Sequence, residues 1–480
     1  MGFRGAATRF MKKTLTALAC FTLLGCGGSG ASSDNVGGSI ASIESGGRSE
    51  FSEFAQCSAD DMKAWVQHNM DDYYLFYDQV PVVDASQYEG AEDYIRALRV
   101  APYDRYSYVT DETTNVSFFE EGERFGFGMR IERADNQRLF FSLVEPLSPL
   151  GATDAERGDE LLAINGVTPD GFTSEFIAAA LGEGDDVVDV RFTLQKPNSS
   201  APYDVTVTKS TYDVQTVLDA KVLNHNNHQV GYLNFLSFLE TSEQELNDAF
   251  TEFKENDIDE LVLDLRFNGG GRISIAEQIG SLIAGESVNS TTFTDFRFND
   301  KYANQDARYP FAARSGALNL PRVYVLTSAN TCSASELVIN SLRPFIDVVT
   351  IGDSTCGKPY GTTSHNYCGK SMNALEVEFR NAANVGGYYD GLAADCPMTE
   401  NLAQTLGQPS ENLLGAALHH LDTAQCASPA TTLAASDSAP LQNRTSANTS
   451  KAQEIVPVRA EERPELLDQR YSEIRTLLIE

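Results

Sequence analysis

Residues 331–361, TCSASELVINSLRPFIDVVTIGDSTCGKPYG, contain in succession a helix, a buried strand and a glycine-containing loop. Apolar residues at helical spacing follow Ser333, which is a favourable N-cap residue, and the apolar run at 348–351 predicts the strand. The loop after that strand ends in Gly357 and Lys358. This lysine fits two chemistries, either a phosphate-binding loop or the base for a serine nucleophile.

The alternation of strands and helices extends outward from this stretch. Strand-like runs occur at 229–238, 260–267 and 322–328, and amphipathic helical patterns occur at 241–256 and 274–285. Such an alternation is typical of layered α/β structure. We therefore predict an α/β core over residues 213–426 of a multidomain α/β and α+β chain.

The phosphate-binding interpretation rests on residues 352–358, which match the pattern G-x-x-x-x-G-K. That loop needs Ser or Thr directly after the lysine, because the hydroxyl holds Mg²⁺ and opens a helix. Pro359 stands at this position and offers no hydroxyl. The sequence therefore disfavours nucleotide binding.

The nucleophile interpretation needs a base, because a serine hydroxyl is a weak nucleophile until a neighbouring group takes its proton. Ser333 and Glu336 also form a capping box, which would explain both residues without any catalysis. A buried lysine can replace histidine as the base, because burial disfavours its charged form. The histidines form no recognisable triad pattern; they are His68, His225, His228, His365, His419 and His420.

Three motifs of residues 120–212 together resemble a PDZ domain. They are FGFGM at 125–129, the GDELLAING run ending at Gly166, and the apolar helix EFIAAAL at 175–181. The resemblance implies that the backbone N–H groups of Gly126, Phe127 and Gly128 hold the carboxylate of a peptide C-terminus. The alternative is a small β-domain whose glycines only make turns.

The combination of LDLRFNGGG, SASE and GKPYG resembles the C-terminal processing, or tail-specific, proteases. The resemblance covers about residues 51–425. It implies a crotonase-like Ser/Lys endopeptidase core with an embedded PDZ domain, in which Ser333 is the nucleophile and Lys358 its base. Lys358 follows Ser333 by 25 residues, the separation typical of that family.

Further roles are implied by the same resemblance. The N–H of Ala334 and that of Gly269 or Gly270 would receive the oxyanion, at a helix start and a glycine turn. Glu336 would orient the pair of Ser333 and Lys358, or it would only cap the helix. Some family members carry further polar residues where this chain has Pro344 and Thr362. Neither a metal nor an organic cofactor is implied.

The N-terminus predicts an exported lipoprotein. Basic residues precede a short apolar run that ends in Leu-Leu-Gly-Cys26, which resembles the bacterial lipobox. The resemblance implies that residues 1–25 are a signal peptide and that Cys26 is acylated, and the Gly/Ser-rich stretch 26–50 is expected to be a flexible tether. Gly27 favours an outer-membrane anchor facing the periplasm. The alternative is ordinary signal cleavage with Cys26 as a bystander.

The formal charge of −32 argues against nucleic acid as a charge-driven partner. Export favours disulfides among the six cysteines that follow Cys26 in the sequence, which allow fifteen connectivities. Since no C-x-x-C pair occurs, a zinc site is disfavoured. Proximity favours the pairs Cys356–Cys368 and Cys396–Cys426, which leaves Cys57 with Cys332.

The sequence as a whole predicts a helical segment at 51–119 before the PDZ-like part and a low-complexity tail at 427–480. The predicted function is a periplasmic serine endopeptidase that cleaves extended or unfolded protein tails after its PDZ domain captures their C-termini. The alternative is a catalytically silent, tail-binding scaffold lipoprotein. A comparison of wild type with Ser333→Ala distinguishes the two.

Overall fold

The computed structural model describes residues 56–134 and 137–428. The predicted signal peptide, the lipidation site Cys26, the tether and nearly all of the predicted tail lie outside these residues. Among the helices that are described, none has both the length and the apolar character needed to cross a membrane.

The N-terminal part is helical, as the sequence predicts. Ser58 and Asp61 form a reciprocal capping box that starts the first helix. Its buried side chains include Trp65 and Met70, which pack onto the core. The elements are α1 (Ala59–Asp72), α2 (Ala91–Leu98), β1 (Tyr108–Asp111) and α3 (Glu112–Val116), with 3₁₀ turns at Tyr77–Gln79 and Ala85–Gln87 and a π turn at Ser117–Glu121.

The middle part is β-rich and has its own apolar core. Strands β3 to β7 form one antiparallel sheet in chain order, so that β3 is an edge strand, and β2 pairs with β8. The elements are β2 (Glu123–Gly126), β3 (Met129–Arg133), β4 (Leu139–Val144), β5 (Glu160–Ile164), a 3₁₀ turn (Pro169–Gly171), α4 (Ser174–Leu181), β6 (Asp189–Gln195), β7 (Tyr203–Thr208) and β8 (Ser210–Asp213).

The core follows the alternation of strands and helices that the sequence shows. Its elements are β9 (Val217–His225), β10 (His228–Phe235), α5 (Ser242–Glu255), β11 (Glu260–Asp264), α6 (Ile273–Ala284), β12 (Thr292–Arg297), β13 (Ala307–Pro310), β14 (Arg322–Thr327), α7 (Ala334–Leu342), β15 (Asp347–Gly352), β16 (Tyr360–Tyr367), β17 (Lys370–Arg380), β18 (Cys396–Pro397) and α8 (Asn412–Thr423), with 3₁₀ turns at Gly285–Val288 and Asp300–Gln305.

A six-stranded sheet in the order β18-β15-β14-β11-β10-β9 organises the core. All neighbours in it are parallel except the edge pair β9 and β10. Helices α5, α6 and α7 pack on one face and α8 packs on the other, which buries both faces. The loops after β11, β14 and β15 leave the same edge of the sheet, where ligand sites of open α/β sheets lie.

A second sheet joins the N-terminal part to the core. Strand β17 pairs with β1, β16 and β12, so that the β16–β17 hairpin carries the N-terminal strand on its edge. The N-terminal helices pack against β17, with the side chains of Trp65, Met372 and Leu375 in one apolar cluster. The N-terminal part is thereby fixed next to the loop that precedes β16.

The disulfide pairing differs from the expected one at two of three bonds. The bonds are Cys57–Cys368, Cys332–Cys356 and Cys396–Cys426. Only the pair Cys396–Cys426 was expected. The predicted pairs Cys356–Cys368 and Cys57–Cys332 are wrong, because strand β16 lies between Cys356 and Cys368 and holds them apart.

Candidate active site

Ser333 lies between β14 and α7 with an unusual backbone. Its φ of 55° and ψ of −112° place this non-glycine residue in a region that L-amino acids rarely occupy. The residue is partly exposed, whereas Ala334 and Ser335 are buried. A strained, exposed serine at a strand-to-helix turn is typical of nucleophile positions.

The glycine turn after β11 lies directly against this serine. A Cβ on Gly270 would come within 2.8 Å of Ser333 Cβ and 3.0 Å of the Ala334 nitrogen, so only glycine fits. Gly270 also has a φ of 104°. Buried Asn268 shapes the turn: its Nδ2 donates to the Phe235 carbonyl at 2.9 Å, and its Oδ1 accepts from the Gly270 N–H at 2.8 Å.

Asn268 also decides which glycine N–H remains available. The Gly270 N–H is engaged by Asn268 Oδ1. Among the residues that the structure describes, no acceptor is recorded for the N–H of Gly269 or for that of Ala334, the first residue of α7. These two donors lie beside Ser333 and can receive a negatively charged oxygen.

Lys358 lies in the loop after β15 with 7% of its surface exposed. Burial lowers the pKa of its amine to about 8, although the carboxylates of Asp104 and Glu336 favour the charged form. The amine lies 5.4 Å from the centre of the Tyr106 ring. With this pKa, roughly a tenth of the lysine is neutral at pH 7, and that fraction can accept a proton.

Glu336 connects the turn that contains Ser333 with the loop that contains Lys358. Its fully buried carboxylate accepts the N–H of Ser333 at 2.9 Å, that of Gly357 at 2.8 Å and that of Lys358 at 2.8 Å. The hydroxyl of Thr355 adds a fourth bond at 2.5 Å. Glu336 therefore caps α7 and holds the loop that carries Lys358 next to Ser333. Burial raises the pKa of its carboxyl, and the four hydrogen bonds counteract that shift.

The disulfide Cys332–Cys356 is a second connection between the same loops. It bonds the residue before Ser333 to the residue two positions before Lys358. The two sulfurs and the Glu336 carboxylate lie within 4.8 Å of one another, a spacing compatible with metal ligation. Because the sulfurs are bonded to each other, they do not offer the thiolates that a zinc site requires.

Within the described residues, no hydrogen bond joins the Ser333 hydroxyl to the Lys358 amine. Nucleophile and base often reach hydrogen-bonding distance only when substrate is bound. The structure therefore shows the two loops held together by Glu336 and the disulfide, with the two reactive side chains not yet engaged.

Asp264 and Arg266 lie in a buried ionic network away from the reactive groups. The Arg266 guanidinium bonds Asp264 at 2.9 Å and both oxygens of Glu411, at 2.9 and 3.0 Å. Glu411 in turn caps α8. These residues stabilise the base of the glycine turn.

The glycine loop of the middle part is buried. Gly126 pairs with Ser210, and Phe127 packs in the core of the sheet. The carbonyls of Phe127 and Gly128 accept the N–H groups of Leu150 and Glu145. For the N–H groups of Phe127 and Gly128, no acceptor is recorded in the part of the chain that the structure describes.

Three residues near the site were missed by sequence reasoning: Asn268, Asp104 and Tyr106. Asn268 directly precedes the glycines at 269–271, so its position in the sequence could have indicated a role in the glycine turn. Asp104 and Tyr106 come from the N-terminal part and carry no local motif that points to a lysine some 250 residues later. The histidine nearest to Lys358 in the sequence, His365, bonds Glu376 at 2.5 Å and stacks on Tyr73.

The fold is a multidomain α/β fold that is also seen in a solved structure. A crystal structure described as an S41 protease from Bacteroides fragilis NCTC 9343 superposes with a TM-score of 0.61 at 23% identity. The match covers 75% of this chain and 97% of that one.

Comparison with known families gives the same assignment. Residues 229–387 match peptidase family S41, and residues 61–108 match the peptidase S41 N-terminal domain. Two parts of the chain are thus similar to domains of the S41 peptidase family.

Curated relatives match over part of their length. The carboxy-terminal processing protease CtpA of Bacillus subtilis (strain 168) is 26% identical over 308 residues, which is 64% of this chain and 61% of that protein. The carboxyl-terminal-processing protease of Picosynechococcus sp. is 27% identical over 238 residues, 49% of this chain and 55% of that protein. The matched part thus spans less than two thirds of either relative.

Proposed function

We propose that this protein is a serine endopeptidase in which Ser333 is the nucleophile and Lys358 the general base. The observation that carries the proposal is the buried carboxylate of Glu336, which accepts the backbone N–H groups of both residues. A capping glutamate alone would have no need to hold the lysine loop. The lowered pKa of Lys358 supports the assignment, because a base must be neutral to accept a proton.

The reaction follows from these groups. The neutral amine of Lys358 takes the hydroxyl proton as Ser333 Oγ bonds to the carbonyl carbon of the scissile peptide. The oxyanion is received by the N–H groups of Ala334 and Gly269. The ammonium then gives its proton to the leaving nitrogen as the C–N bond breaks. Finally, the amine takes a proton from water as the water oxygen bonds to the acyl carbon, and the resulting ammonium returns this proton to Ser333 Oγ as the ester C–O bond breaks.

For substrate recognition we propose capture of a free C-terminus by the PDZ-like part. Strand β3 lies at the edge of its sheet, and an extended peptide can add to such an edge. The N–H groups of Phe127 and Gly128, without a recorded acceptor among the described residues, are suited to the peptide carboxylate. Gly126 begins the loop that carries these N–H groups, and its pairing with Ser210 fixes the position of that loop.

We further propose that the protein acts in the periplasm, anchored to the outer membrane through acylated Cys26. Three disulfides are consistent with an oxidising compartment. Radiolabelled palmitate tests the anchor: it should label the wild type and not Cys26→Ala. Equal labelling of both would exclude acylation at Cys26.

The proteolytic proposal is tested with an unfolded protein that ends in apolar residues. Wild type should cleave it, and Ser333→Ala should bind it without cleavage, because only the attacking oxygen is removed. Mass spectrometry of quenched wild-type reactions should find an acyl adduct on the peptide that contains Ser333. Tail binding by both proteins without any cleavage would establish the scaffold alternative instead.

Loss of the Cys332–Cys356 bond should weaken catalysis without abolishing it. The double variant Cys332→Ser/Cys356→Ser is expected to cleave about 10- to 100-fold more slowly, because small displacements of reacting groups cost this much. Glu336 still joins the loops, so some activity should remain.

The double variant Cys396→Ser/Cys426→Ser is the matched control. Its bond closes a similar loop, with a sequence separation of 30 against 24. Its loss should therefore have a similar effect on stability. Steady-state cleavage and thermal unfolding would be measured on both variants. Equal activity of the two would show that the Cys332–Cys356 bond serves only stability.

A further inference from the structure

One segment of the N-terminal part reaches the base loop. Residues 104–107 follow the N-terminal helices, and Tyr106 is 2% exposed. Its hydroxyl donates to the Cys356 carbonyl at 3.2 Å, and the guanidinium of Arg105 donates to the same oxygen. The Tyr106 ring centre lies 5.4 Å from the amine of Lys358. The segment therefore contacts both the backbone and the reactive end of the base loop.

The segment is held rigidly by Asp104. Its buried carboxylate accepts the N–H groups of Tyr106 and Ser107 at 2.8 and 2.9 Å. It also accepts the hydroxyls of Ser107, at 2.6 Å, and Tyr74, at 2.8 Å. The Ser107 hydroxyl in turn accepts the N–H of Leu375 in β17. This network ties the segment to the helices on one side and to the core sheet on the other.

We propose that Tyr106 is a positioning residue for the Lys358 base: its ring is the wall that keeps water from the amine. The active site is then completed by the N-terminal part and is not contained in the core alone. This inference rests on the proposed function and adds a residue to it.

The charged groups near the Lys358 amine do not account for its low pKa. The carboxylates of Asp104 and Glu336 both raise the pKa of Lys358, and burial is the only cause that lowers it. The Arg105 guanidinium is directed to the Cys356 carbonyl. The face of the Tyr106 ring attracts a cation. Since the pKa is nonetheless low, exclusion of water outweighs these attractions, and the ring is part of that exclusion.

The test is the dependence of kcat/KM on pH. In Tyr106→Ala, water reaches the amine, and the midpoint of the profile should move upward by at least about one pH unit. At pH 7 the rate should fall about tenfold for each such unit. At high pH the rate should recover towards that of wild type. Tyr106→Phe keeps the ring and should keep the midpoint.

Tyr94→Ala is the matched control, because Tyr94 is a buried tyrosine of the same apolar cluster that lies on α2. It should lower the melting temperature and leave the pH midpoint unchanged. If Tyr106→Ala lowers the rate equally at all pH values, or behaves like the control, the positioning role is wrong.

Failure of the proposed function would look different. In that case the wild type would neither cleave nor form an acyl adduct at Ser333, and no pH profile would exist. A cleaving wild type with an unmoved midpoint in Tyr106→Ala rejects this inference alone.

Discussion

Replacing Lys358 with methionine is expected to slow cleavage by about 10²- to 10⁴-fold, the usual contribution of a general base. Methionine fills similar space but cannot accept a proton from Ser333. In the wild type, kcat/KM should rise about tenfold per pH unit below the pKa of about 8 and level off above it. A profile that is flat from pH 6 to 10 would show that another group is the base.

The same substitution should make the protein more stable at pH 7. The folded-state pKa of Lys358 is about 8, whereas the ordinary value is 10.5. Between these values the unfolded chain binds more protons than the folded one, so wild-type stability rises with pH across that window. Below it the cost of the buried ammonium is fully present. Lys358→Met removes that cost, and its advantage in melting temperature should shrink as the pH approaches 10.5.

Activity lost together with stability gained separates a catalytic lysine from a structural one. Replacement of a lysine with a purely structural role would lower both the activity and the stability of the protein. Lys254→Met is a suitable control, because that amine lies on the exposed side of α5 and bonds the Ser315 carbonyl. The control should change neither the rate nor the pH profile.

The arrangement of the site was predictable where it depends on local pattern and on sheet topology. The alternation of strands and helices predicts parallel strands, and their carboxyl ends lie at one edge. The glycine turn, Ser333 and Lys358 each follow such a strand, so their convergence follows from the alternation. The choice between Gly269 and Gly270 did not follow, because it depends on the direction in which the side chain of Asn268 points.

The disulfides show where sequence proximity misleads. Cys356 and Cys368 are close in sequence, but the eight residues of β16 lie between them. An extended strand rises about 3.3 Å per residue, so its ends are roughly 25 Å apart. A disulfide needs Cα atoms within about 7 Å. Cys356 instead meets Cys332 across the loops, and Cys368, at the far end of the hairpin, meets Cys57.

The contribution of Asp104 and Tyr106 to the site could not be predicted from the sequence either, because it depends on a contact between distant segments. Both depend on how the N-terminal part docks against β17, a contact between segments more than 250 residues apart. The sequence predicts a helical segment at 51–119, and Trp65 and Met70 of that segment pack onto the core. The same docking also brings a tyrosine to the base.

Glu336→Gln is expected to slow cleavage by about 10- to 100-fold, through misplacement of the two loops. The wild-type carboxylate accepts four hydrogen bonds, two at each oxygen, and all four partners are donors. Glutamine keeps one acceptor oxygen and turns an NH₂ group towards the donors at the other position. Buried N–H groups are then left unpaired, at a cost of about 1–3 kcal/mol each.

A readout beyond stability is the pH profile. The charge of Glu336 raises the pKa of Lys358, so a neutral glutamine should move the midpoint of kcat/KM to lower pH even as the plateau falls. Glu277→Gln is the control, because Glu277 is a buried carboxylate of α6 that bonds the Ala312 N–H at 2.7 Å and Arg314 at 2.5 Å. It should lower the melting temperature without moving the midpoint. If both variants lose the same stability and keep the wild-type midpoint, Glu336 only caps its helix, and the coupling between nucleophile and base must come from the disulfide.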